Sequence, residues 1–139
     1  MKRRAFIALA AVAVMAPLTT QAGQHNYRPG LVDELLADGQ TVFVEFKTNW
    51  CPTCAAQQRV IGGVTSEDSA YLENVEFVTV DWDIYSSEDL ARRLNIPRRS
   101  TLVVLQGDQE LGRIVAGTSR SAIKGLMDTA LTAAQSNGS

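Results

Sequence analysis

Cys51 and Cys54 are the only cysteines in the 139-residue chain, and two residues separate them. If a helix begins at Cys51, the two side chains lie one turn apart on one face, within reach of a disulfide. Such a pair opens and closes without rebuilding the fold. Free N–H groups and the positive end of the helix dipole favour a thiolate at the first cysteine, drawing its pKa below the roughly 8.5 of a free thiol. Cys51 is therefore the expected attacking sulfur. Cys54, one turn further in, is the expected resolving sulfur for a mixed disulfide. Pro52 suits the first helical turn, where the N–H it lacks would have had no intrahelical partner.

Three other uses of the pair compete with this one. A structural zinc site wants about four ligands, and beyond the cysteines the chain offers one histidine, His25, read as a solvated tail residue. A purely structural disulfide would close too short a loop to stabilise much. Two coincidental core cysteines would not need the Trp50, Pro52 and preceding strand that surround these.

The elements that must position the pair follow from apolar patterning. Thr41 to Lys47 is a strongly apolar strand that delivers the chain to Asn49-Trp50-Cys51. Before it, Leu31, Val32, Leu35 and Leu36 give a short amphipathic helix ending near Asp38-Gly39. After the cysteines the helix continues through Ile61 until Gly62-Gly63 weakens or kinks it. Ser66-Glu67-Asp68 suits a new helix start, Val75 to Trp82 a second strand, and Ser86 or Ser87 the cap of a helix ending in Arg92-Arg93. Thr101 to Leu105 and Glu110 to Ala116 form a hairpin around Gly107-Asp108, and Ser119 opens a last helix. This order implies an α/β fold: one mixed sheet of about four to five strands with helices on both faces.

Residues 1–22 read as a secretory signal peptide: Lys2-Arg3-Arg4, an apolar run from Ala5 to Ala16, and Thr20-Gln21-Ala22 as a cleavage site. A retained N-terminal anchor is the alternative. Arg3-Arg4-Ala5-Phe6-Ile7 also partly matches a twin-arginine signal, although the ordinary Sec route fits better. The remaining organisation is an N-terminal arm over 23–30, one domain over 31–134 and a frayed tail over 135–139. Without the three basic residues of the signal the formal charge falls from −2 to −5, which argues against general nucleic-acid binding. The expected location is the periplasm, an oxidising compartment where a cysteine pair closes unless a reductant is supplied.

Val42-Phe43-Val44-Glu45-Phe46 leading into Trp50-Cys51-Pro52-Thr53-Cys54, then Val80-Asp81-Trp82-Asp83, Asn95-Ile96 through Ser100-Thr101-Leu102, and Ala116-Gly117 stand in an order that resembles the thioredoxin superfamily. The resemblance runs from about Leu31 to Leu131. It implies a thioredoxin-like fold and reversible thiol–disulfide exchange, with Cys51 attacking and Cys54 resolving. It also places Glu45 where thioredoxins carry a buried acid that helps deprotonate the second cysteine. Burial would raise the pKa of such a carboxylate enough for it to shuttle a proton.

Two positions depart from the pattern. Thr79 stands where thioredoxins pair the acid with a lysine. Ser100 stands where a cis-proline normally faces the cysteines, and since a cis bond before serine costs about 2.5–4 kcal/mol, a trans bond is expected; Pro97 as the cis residue is the alternative. If Ser100 faces the pair, its hydroxyl can bond a thiolate, with Arg98 and Arg99 flanking the site. The expected substrate surface is Trp50, Pro52, Thr53, Arg99, Ser100 and Thr101.

The function expected is that of a monomeric periplasmic oxidoreductase acting on protein thiols and disulfides, more as reductant than oxidant, fed by a membrane electron donor, with no cofactor or metal. A binding module, adaptor or metal chaperone using the cysteines as ligands is the rival.

Overall fold

A computed structural model describes residues 23–137, so the signal-peptide segment and residues 138–139 lie outside the described residues. A five-stranded sheet runs β1 (Gln24–Asn26), β3 (Glu76–Asp81), β2 (Thr41–Lys47), β4 (Thr101–Gln106), β5 (Gln109–Val115) across its width. The first three are mutually parallel, and β4 and β5 run antiparallel to their neighbours. The mixed sheet inferred from the element order is therefore present.

β2 is central and buried on both faces, and its alternation divides the core. Val42, Val44 and Phe46 point to one side, where α1 (Leu31–Ala37), α4 (Trp82–Tyr85) and α5 (Asp89–Arg93) pack. Phe43 points to the other, against α2 (Pro52–Glu67), α3 (Ala70–Asn74) and α6 (Arg120–Asn137). A strand apolar on both faces needs a helical layer on each, and both layers are present.

Several boundaries differ from the expectations, each for a reason the contacts show. Residues 23–30 are not only an arm: Gln24–Asn26 pair with Phe77–Thr79 as an edge strand. His25 is not a solvated tail residue, since its Nε2 bonds the buried Glu76 carboxylate, which also accepts the Gly23 N–H. Gly62-Gly63 does not interrupt α2. Ile61, Val64 and Thr65 on either side are buried, and the Gly62 carbonyl accepts the Thr65 and Ser66 hydroxyls; this packing outweighs the entropic cost of two glycines. Ser66 and Glu67 therefore end α2, with Asp68 as its C-cap, and the Asp68 side chain accepts the Ala70 N–H at the start of the following helix.

Trp82 opens α4 instead of closing the strand, because the Asp81 side chain accepts the Asp83 N–H. The cap of α5 is Glu88, not Ser86 or Ser87: its Oε2 accepts both the Leu90 N–H and the Tyr27 hydroxyl, a contact 61 residues distant in sequence. Residues 135–137 are not frayed. They complete α6, and the Asn137 side chain donates to the Gly39 carbonyl at 2.6 Å.

Gly62 is exposed, and a Cβ added there meets nothing within 4 Å. Gly62→Ala is expected to stabilise the protein by about 0.5–1 kcal/mol, raising the midpoint of thermal unfolding by about 2–5 °C. A lowered midpoint would show that α2 needs glycine flexibility at that point.

Candidate functional site

The site is built where β2 ends and α2 begins. Cys51 adopts an extended conformation (φ −89°, ψ 112°) as the N-cap of α2, and its sulfur accepts the Cys54 N–H at 3.1 Å. A sulfur thus takes the capping place usually held by a serine or aspartate oxygen. Pro52 is the first helical residue, exposed beside it. Both cysteines are free thiols and almost wholly buried, at 3% and 1% exposure.

Ser100, just before β4, closes the site from across the sheet. Its hydroxyl oxygen lies 3.1 Å from the Cys51 sulfur and 3.0 Å from that of Cys54. With Cys51 ionised, one proton arrangement satisfies all three groups: the Cys54 thiol donates to Ser100, and Ser100 donates to the Cys51 thiolate. Residues 23–137 contain no cis peptide bond, so neither Ser100 nor Pro97 follows one; Ser100 instead takes a left-handed conformation at φ 64°. That conformation costs a non-glycine residue about 1–2 kcal/mol and persists because its surroundings fix it. Its N–H donates to the Phe46 carbonyl at 2.7 Å, and its own carbonyl accepts the Ala116 N–H at 2.8 Å and the Gln57 side-chain N–H at 2.9 Å.

Burial alone pushes the Cys51 thiol up. Hydrogen bonding by Cys54, the Ser100 hydroxyl and Arg99 outweighs it and brings the thiol down from 9.0 to about 6. Cys51 is therefore mostly thiolate at neutral pH.

Trp50 and Arg99 border the pair. The Arg99 guanidinium carbon sits 4.3 Å from the centre of the Trp50 ring, and the indole N–H donates to Asp83 at 2.9 Å. Arg98 is exposed and donates to the Arg99 carbonyl. Thr53 is half-buried in the first turn of α2. Thr101 departs from the expected substrate surface: it is fully buried, and its hydroxyl is spent on the Arg98 carbonyl, where it closes the loop.

Glu45 is buried at 8% exposure on the α2 face of β2, beside Thr79 in register, whose hydroxyl donates to it at 3.3 Å. Burial raises its pKa, opposed by the Thr79 hydrogen bond and the Lys47 charge. The threonine that replaces the lysine thus supplies a hydrogen bond in place of a charge. The carboxylate opens on a polar cleft shared with Gln58 and Ile61 of α2, while the cysteine sulfurs bond Ser100 and the Cys54 N–H.

Gln57 was not singled out by the sequence reading. It is 98% buried, and its amide donates to the Ser100 and Gly117 carbonyls, tying α2 to the loop that holds Ser100. Its signal was there: a glutamine at the next inward position after Cys54, in the buried stripe that continues to Ile61 and Val64. Asp83 was noted only as part of a motif, without its hold on Trp50. Among the described residues no three His, Cys, Asp or Glu side chains converge, so a metal held by the cysteines would need ligands from elsewhere.

A dithiol at the N-terminus of the helix leaving the central strand of a mixed sheet, with a loop residue closing over both sulfurs, defines a thiol–disulfide redox fold. A family model described as Thioredoxin matches residues 24–129, and the chain belongs to the thioredoxin family, whose general chemistry is thiol–disulfide exchange. It is 23% identical over 90 residues to the bifunctional thioredoxin reductase/thioredoxin of Mycobacterium leprae, covering 65% of this chain but 19% of that protein. Among solved structures, Trxlp from Edwardsiella tarda is similar at TM-score 0.65 and 23% identity, over 75% of this chain and 98% of that one. The thioredoxin of Malassezia sympodialis is similar at TM-score 0.66 and 19% identity, over 78% and 94%.

Since the Glu45 pKa is raised, its carboxylate costs nothing extra while protonated below the ordinary value of 4.5, and native stability falls as pH rises through the folded pKa. Glu45→Gln is expected to unfold at a higher temperature than wild type at pH 7, with the gain vanishing below about pH 4.5. A gain of equal size at both pH values, or a loss at pH 7, would show that the buried charge is not the cause.

Proposed function

We propose that this protein is a thiol–disulfide oxidoreductase that reduces disulfides in other proteins. The observation that carries the reading is the Cys51 sulfur capping α2, with a pKa of about 6 and a hydroxyl shared with Cys54. The Cys51 thiolate attacks one sulfur of a substrate disulfide. A bond forms between Cys51 and that sulfur, the substrate S–S bond breaks, and the second substrate sulfur leaves as a thiolate that takes up a proton. Cys54 then loses its proton, attacks the Cys51 sulfur and releases the first substrate thiol. Two electrons have passed to the substrate, and the Cys51–Cys54 disulfide awaits an external dithiol. Ser100, bonded to both sulfurs, can pass hydrogen-bond donation from one to the other as the charge moves. Glu45, raised in pKa and beneath α2, is the proposed acceptor of the Cys54 proton.

The reducing direction is supported by the thioredoxin-like tryptophan at position 50 and by the described residues, in which no helical domain of the kind found in disulfide-forming oxidases is inserted between the sheet strands. The low thiol pKa acts the other way, because stabilising the thiolate stabilises the reduced form. A thiol about one unit below the roughly 7 of thioredoxin raises the potential by no more than about 30 mV. The pattern of residues 1–22 supports export to the periplasm, where such a reductant needs electrons delivered across the membrane by a thiol-bearing carrier.

In the insulin-reduction assay with dithiothreitol, the wild type is expected to accelerate precipitation and Cys51→Ser to match the uncatalysed rate. A wild type no faster than Cys51→Ser would overturn the exchange reading. A potential near about −120 mV would overturn the direction.

A further inference from the structure

Arg28 pairs with Glu34 and Arg120 with Glu67, yet no carboxylate of the described residues pairs with Arg98 or Arg99. Their setting beside the reactive sulfur is built. The Arg99 guanidinium stacks on Trp50, a ring fixed at its other end by Asp83, and the Arg99 Nε is buried with no hydrogen-bond partner. Stacking fixes the plane of the guanidinium and so presents its donor fork in a set direction. Trp50 is exposed at 59% and carries the Arg99 guanidinium on its ring face, so an apolar surface adjoins the cation. The chain as a whole is acidic, with a formal charge of −2, and here two adjacent arginines flank the reactive sulfur, with Asp83 at the far end of the Trp50 ring.

We infer that Arg99, held by Trp50 and reinforced by Arg98, selects partner polypeptides carrying an Asp or Glu within about two residues of the disulfide-bonded cysteine. The partner carboxylate meets the Arg99 fork, a charge-assisted contact, while Cys51 attacks the adjacent sulfur. The inference rests on the exchange reading and specifies its substrate class. Arg99 acts on specificity through this contact, apart from its help to the Cys51 thiolate.

The test uses the purified, reduced protein with a set of peptide disulfides identical except for Glu, Gln or Lys beside the cysteine, and reads the second-order rate constant of each. The wild type is expected to prefer Glu over Gln by about three- to fivefold and to disfavour Lys. The preference should shrink in about 0.5 M salt, as screening requires. Arg99→Gln, whose thiolate is also less stabilised, slows every peptide but brings the Glu-to-Gln ratio to about one. Arg99→Lys retains part of it. The ratio cancels any common change in thiolate reactivity, so it reports recognition alone. Equal rates for the Glu and Gln peptides in the wild type, or an unchanged ratio in Arg99→Gln, would overturn the inference while leaving exchange standing. A wild type that reacts with none of the peptides overturns exchange itself, and the inference with it.

Discussion

A buried, ionised sulfur must be hydrogen-bonded from several directions at once, and the arrangement around Cys51 answers that demand. Removing a thiolate from water is costly, yet Cys51 is 97% buried. The Cys54 N–H is supplied by the first turn of α2, and the Ser100 hydroxyl by the loop before β4. Bringing these together requires β2 to end where α2 starts, and β4 to lie beside β2 so that the Ser100 N–H can reach the Phe46 carbonyl. The strand order of the sheet is thus the means by which one hydroxyl comes within about 3 Å of both sulfurs.

Ser100 is where this chain solves the family's geometry in its own way. A residue must face both sulfurs, and here a left-handed serine with trans bonds does so. Its strain is held by backbone bonds to three separate segments: β2, α2 and the turn after β5. Gln57 reinforces the same point by donating to Ser100 and to Gly117, so that α2 is tied to both loops. A hydroxyl in this position does chemistry that a proline ring cannot, because it can donate to whichever sulfur carries the charge.

Much of this was legible in the residues. The cysteine spacing, the apolar β2 and the β4–β5 hairpin carry strong local signals for the pair and the fold, while the resemblance to thioredoxins put Ser100 opposite the cysteines, where its hydroxyl meets both sulfurs. Some of the misses come from contacts distant in sequence and others from local bonds that no pattern displays. Glu88 caps α5 in preference to Ser86 or Ser87 because Tyr27 also needs its carboxylate. Residues 24–26 become a strand because β3 offers them an open edge, secured by His25 and Glu76. α2 runs through two glycines because core packing on either side outweighs local propensity. Thr101 faces inward because the loop needed closing at Arg98. Gln57 looked like one more polar helical residue, since its partners are backbone carbonyls that no pattern displays.

The central claim is that hydrogen bonding, with Ser100 prominent in it, holds Cys51 as a thiolate at neutral pH against its burial. It is tested most directly by following thiolate ultraviolet absorbance of the reduced protein against pH, in the wild type, Cys51→Ser and Ser100→Ala. The account predicts a wild-type transition near pH 6, absent from Cys51→Ser and raised by about one unit in Ser100→Ala. A first transition near pH 9 in the wild type, unchanged by loss of the Ser100 hydroxyl, would contradict it.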